Sequence, residues 1–174
     1  MSSAFLKNET ADAPVVIPAR APLPPGTTNY VTPRGLSLLR AELTDLETQH
    51  ARVQTDTPEE NERMRQLALL NGQIGNLNQR IASARVVDPK NQPHDEVRFG
   101  ATVTLHTHSG KKAGEERRFT VVGVDEADAS HGRVAFTAPI ARTLQGKRAG
   151  DTITLRTMKG EEIMAIIAIT YDTE

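Results

Sequence analysis

The chain has 174 residues, room for one ordinary domain or two small ones, and its 3% aromatics and absent Trp rule out one large aromatic-rich core. Its 21 basic and 22 acidic residues give a net charge of −1, so no overall basic field draws it onto naked nucleic acid. Cys is absent, no signal-peptide pattern opens the chain and no 18-residue apolar run occurs; disulfides, thiolate metal sites and a membrane helix are excluded, and a soluble, cytoplasmic protein is expected.

Residues 1–29 hold five of the ten prolines, at positions 14, 18, 22, 24 and 25. Proline removes backbone donors and breaks helices, so this stretch reads as an extended, disordered leader. A helix is expected to start at Thr32-Pro33, with Thr as N-cap and Pro at the first helical position. From there Leu36, Leu39, Leu43, Leu46, His50 and Val53 recur at alternating spacings of 3 and 4, a heptad seam. Leu67, Leu70, Ile74, Leu77, Ile81 and Ala84 repeat the rhythm, and Asp88-Pro89 stops it. Paired antiparallel, the two seams match residue numbers that sum to 120, from Leu36 with Ala84 to Val53 with Leu67. That register puts a turn near residue 60 at the end of arms roughly 35–40 Å long. Asp56, Glu59, Glu60 and Glu62 fall at this tip, where a helix start would by itself favour acidic side chains.

Residues 88–96 carry two prolines and no periodicity and read as a linker. From Val97 the pattern alternates: Phe99, Ala101, Val103 and Leu105 on one side, Arg98, Thr102 and Thr104 on the other. Further strands are expected over Arg118–Val124, Arg133–Thr137, Thr152–Arg156 and Ile163–Ile169. A short helix is expected over Pro139–Leu144, with Gly146 beyond its end. Residues 97–174 therefore read as a compact α+β module.

Val122-Gly123-Val124-Asp125-Glu126-Ala127-Asp128, then Ala138-Pro139-Ile140-Ala141-Arg142, Gly146-Lys147 and Gly150-Asp151, resemble the C-terminal domain of the GreA/GreB transcription elongation factors. Tyr30-Val31-Thr32-Pro33 with Gly35, then Leu39-Arg40-Ala41-Glu42-Leu43, resembles the start of that family's hairpin, and Met1-Ser2-Ser3-Ala4-Phe5 is closer to GreB-type members. The resemblance implies an antiparallel coiled-coil hairpin over 30–87, followed over 97–174 by an FKBP-like antiparallel sheet domain with one short helix. It implies a monomer that docks at the secondary channel of RNA polymerase. Asp125, Glu126, Pro139, Ile140, Arg142 and Lys147 would be its contact residues, and nascent RNA and DNA would be met only through the elongation complex. The tip carboxylates Asp56, Glu59 and Glu60 would help hold the polymerase's second Mg2+ and orient water for cleavage of backtracked RNA, a role suited to hard oxygen ligands. The chain would bind no cofactor of its own, and the polymerase would remain the enzyme. Two departures bear on this. The family's tip reads Asp, two residues, Glu, Asn, whereas here Glu60 intervenes between Glu59 and Asn61, and the first arm is shorter by about ten residues, or ~15 Å of reach.

Other features carry less. His106 and His108, two apart on a strand, share a face but show no third metal ligand. His50 lies on the seam, where a polar residue fixes register. Lys147 and Arg148 suit either a solvated turn or an acidic partner surface. A non-catalytic interaction protein resembling the nucleoside diphosphate kinase regulator is the alternative from another class. Prolyl isomerase activity would be an analogy of fold alone, and with Phe99, Phe119, Phe136 and Tyr171 as its aromatics the module is expected to lack an aromatic-lined pocket.

Overall fold

The computed structural model describes residues 14–172. They form two compact units: one comprises Leu39–Ala82 with the segment ending at Arg20, the other Ala21–Leu38 with the chain from Ser83 onward.

Two helices of 24 residues, α1 (Pro33–Asp56) and α2 (Glu60–Ser83), form the hairpin. α1 starts as its sequence dictates: the Gly35 amide donates to Thr32 Oγ1 at 2.9 Å, and Pro33 takes the position where an amide hydrogen would have no partner. Every seam residue from Leu36 to Val53 and from Leu67 to Ala84 is buried or half-buried, while most positions between them are exposed. Leu39 and Leu77 are 2% and 0% exposed, each burial being worth about 2 kcal/mol.

The turn falls just ahead of residue 60, where it is expected. The turn is Thr57-Pro58-Glu59, and the helices end symmetrically about Pro58. Pro58 ends α1 early because it disfavours helical backbone at Thr57. The new helix then starts at once, with Glu59 as its cap.

The second arm also stops short of Ala84. Ala84–Val86 (β2) pairs in parallel with Asn29–Val31 (β1), in the register Asn29 with Ala84 to Val31 with Val86. The Val87 amide continues the ladder to Val31 O at 2.9 Å, and Asn29 Nδ2 donates to Ser83 Oγ at 3.2 Å.

The module holds β3 (Ala101–Ser109), β4 (Glu116–Val122), β5 (Arg133–Ala135), α3 (Pro139–Leu144), β6 (Thr152–Thr157) and β7 (Gly160–Tyr171), with sheet order β5-β4-β3-β7-β6. The sheet is mixed rather than wholly antiparallel, because β5 runs parallel to β4. The chain reverses between them through a 3-10 turn, Ala129–His131, and Gly132 at φ 67°, a left-handed backbone that glycine adopts without strain. Val97, Val103, Leu105, Leu144, Met164 and Ile166 form the centre of the core. Tyr171 closes it, its hydroxyl donating to Glu96 O at 2.5 Å and accepting from the Arg98 amide at 2.9 Å. Burial of that phenol raises its pKa above the usual value.

Candidate functional site

The acidic tip is built by the helix ends. Glu59 is the N-cap of α2: its Oε1 accepts the Asn61 amide at 3.1 Å and its Oε2 the Glu62 amide at 2.6 Å. Arg63 Nη1 donates to Thr57 O at 3.1 Å and ties the turn back to the helix. Glu62 accepts from Gln66 Nε2 at 2.8 Å. Of the three expected catalytic carboxylates, Glu59 is thus engaged through both oxygens. Glu60, at the first helical position, is exposed, and its side chain makes no hydrogen bond among the described residues. Asp56 is exposed and accepts from Thr55 Oγ1 at 3.1 Å.

The helix dipole explains Glu59, Glu60 and Glu62, because acidic groups are stabilised at a helix N-terminus. It does not explain Asp56, the last residue of α1, where no basic side chain offsets the negative end of the dipole. A carboxylate there is disfavoured by ~0.3–1 kcal/mol.

In the module, Glu126 is nearly buried. Its side chain is 4% exposed; it accepts Thr32 Oγ1 at 2.5 Å and Arg34 Nη1 at 2.8 Å, and so fixes the start of α1. Gly35 leaves it room, since a Cβ there would lie 3.0 Å from Glu126 Oε1. Asp125 is half-buried beside it, and Ile140 is half-buried against the core. Pro139, Arg142 and Lys147 are exposed on and just after α3.

The module also has the aromatic-lined pocket that its own aromatics did not foretell. Tyr30 from β1 joins Phe99 and Phe136, with ring centroids 5.6–5.9 Å apart. With Val97, Val121 and Ala141 they line a cavity of about 80 Å³, and Arg98 and Gln145 complete its wall. Sequence reasoning misses Tyr30 because this wall comes from a three-residue strand far away along the chain.

A polar turn adds one more cluster. Asp128 accepts from Ser130 Oγ and from His131 Nδ1, both at 2.6 Å. Those bonds, that from Ser130 first, lower its pKa from 3.8 to about 2. Ser130 Oγ lies 3.1 Å from the same ring nitrogen, Nδ1. A hydrolytic triad needs the serine at one ring nitrogen and the orienting carboxylate at the other, so this cluster is not arranged as one. The rings of His106 and His108 approach to 5.0 Å, yet no three His, Asp or Glu side chains converge as a metal site among the described residues. No helix among them is long and apolar enough to cross a membrane.

Residues 92–171 match the family described as "Transcription elongation factor, GreA/GreB, C-term". The transcription elongation factor GreA of Acidiphilium cryptum is 34% identical over 155 residues, which cover 81% of this chain and 96% of that protein. The chain belongs to the GreA/GreB family of transcription elongation factors. Another GreA, from a Nitratiruptor species, is 37% identical over 105 residues, 60% of this chain but 63% of that protein's own length. A solved GreA/GreB structure from Nitrosomonas europaea is similar at 24% identity, covering 82% of this chain and 98% of that one with a TM-score of 0.41. In this GreA/GreB family member the family match lies within the module and its linker, so the tip has to be read from its own geometry.

Proposed function

We propose that this chain is an accessory factor that docks on RNA polymerase through its β module and modulates elongation, with Asp56 and Glu60 as the side chains that act at the polymerase active centre. Asp56 carries the reading. Its carboxylate stands at the helix end where the dipole opposes it, a placement that folding does not explain. Glu59 supports the pair from the turn, holding the start of α2 and thereby Glu60 at its first position.

The fit to Mg2+ is partial and chemically sensible. Two exposed carboxylates offer hard oxygen donors, and the remaining ligands of an octahedral shell would come from the polymerase. When bound there, the ion would supply an activated water. Asp56 and Glu60 would bind and orient that assembly. Asp125, Pro139, Ile140, Arg142 and Lys147 are the proposed contact residues on the module, whereas Glu126 positions α1.

The test is RNA cleavage by halted, backtracked polymerase with Mg2+. Asp56→Ala and Glu60→Ala should each lower the stimulated rate by roughly 10²-fold, as misplacement of a reacting assembly does, with polymerase binding unchanged. Arg142→Glu with Lys147→Glu should weaken binding itself. Wild-type protein that binds without stimulating cleavage would leave a factor that modulates elongation by occupancy; absence of binding would sink the proposal.

A further inference from the structure

Residues 14–28 form neither helix nor strand, yet two of their side chains are held by different arms of the hairpin. Ile17 lies in the notch that Gly72 leaves on α2: a Cβ on Gly72 would meet Ile17 Cδ1 at 2.0 Å and Cγ1 at 2.7 Å. Any side chain at position 72 would therefore displace Ile17. Three residues further on, Arg20 reaches Glu42 of α1 fork to fork, Nη1 to Oε1 at 2.7 Å and Nη2 to Oε2 at 3.0 Å. Such bidentate, charge-assisted pairs fix orientation as well as distance. The Arg20 side chain is only 19% exposed in that contact.

The spacing suits the task. Three residues of extended chain cover roughly 10 Å, and packed helix axes lie about 8–10 Å apart. Counted from Pro58, Glu42 lies 16 residues back and Gly72 14 residues on, so both anchors stand at nearly one level of the hairpin. Pro18 stiffens the crossing segment and brings no backbone donor that needs a partner. Less chain entropy is then lost on docking.

We propose that Ile17–Arg20 is a built-in peptide ligand of the hairpin, a strap seated across both arms that clasps α1 to α2 through the Gly72 notch and the Glu42 carboxylate. The clasp is held in part by an ion pair open to solvent on one side, so salt weakens it.

Trypsin reads the clasp directly. Arg20 is followed by Ala21, and cutting after Arg20 requires its guanidinium to leave Glu42 and enter the protease. Full-length protein and a synthetic peptide of residues 14–28 should be digested side by side at low salt, with the cut identified by mass. The protein should be cut after Arg20 at least ~10-fold more slowly than the peptide, since the rate follows the open population. Glu42→Gln and Gly72→Leu should bring that rate to within about twofold of the peptide's, with the helix signal and melting temperature showing each variant folded. Raising salt from about 50 to about 500 mM should speed the cut in wild type and leave Glu42→Gln unchanged. Wild type cut as fast as the peptide, or both variants cut at the wild-type rate, would overturn the proposal. So would protection that disappears on dilution together with a dimer, which would assign the seated strap to a second copy.

Discussion

Thr107 sits on β3, 0% exposed, with its hydroxyl lacking a hydrogen-bond partner among the described residues. A buried hydroxyl that gives up water and gains nothing costs about 1–3 kcal/mol. Valine has nearly the same shape, so Thr107→Val should stabilise the protein by ~1 kcal/mol and raise its melting temperature by roughly 2–4 °C. An unchanged or lowered melting temperature would mean that the hydroxyl is satisfied in solution. Asp128 poses the opposite case, a carboxylate better satisfied folded than unfolded. Its pKa is lowered from 3.8 to about 2, chiefly by the Ser130 hydroxyl and then by His131. A group with a depressed folded pKa contributes stability that is fully present above the unfolded value. That contribution should fade as pH falls from about 4 toward 2. Melts of wild type and Asp128→Asn at pH 5, 3.5 and 2.5 check this, through an advantage of wild type that shrinks across the window. A constant advantage would show that the hydrogen bonds matter and the charge does not.

The heptad rhythm made both helices legible, because a stripe repeated over 24 residues leaves one way to bury itself. The exact place of the turn was less legible, and the capping of α2 by Glu59 through two backbone amides settles it. The same local detail made three tip carboxylates look equivalent in sequence although one is engaged and two are open. β1 and β2 had no signal at all. Each is three residues long, and they meet only because the intervening helices return the chain to its start. Their packing yields a sharp test at Gly123, just beyond β4. A Cβ there would lie 2.6 Å from the Tyr30 carbonyl oxygen, closer than backbone can tolerate. Gly123→Ala should therefore cost about 1–3 kcal/mol, as overpacking does, and lift Tyr30 off Phe99 and Phe136. A urea unfolding curve gives the first effect, and the loss of ring-current shifts on those two phenylalanines gives the second. A melt equal to wild type would mean that β1 does not pass over Gly123.

The larger unit is discontinuous: it needs Ala21–Leu38 as well as the chain from Ser83 onward. The family match, over residues 92–171, covers only its later part. What the early segment supplies is specific. Tyr30 completes the aromatic pocket, and Thr32 and Arg34 provide the hydrogen bonds that the nearly buried Glu126 accepts. Cut away from residues 21–38, the module keeps its sheet but leaves that carboxylate without its donors, a loss that costs about 3–5 kcal/mol for a buried charge unless the group becomes solvated. A fragment of residues 88–174 should therefore unfold at markedly lower urea than a chain in which residues 21–38 are joined to 83–174 through a flexible linker replacing the hairpin. Equal midpoints would show that the sheet core alone sets the stability of the module. Glu126 would then have no structural hold on α1, and its place among the docking residues would have to be restored.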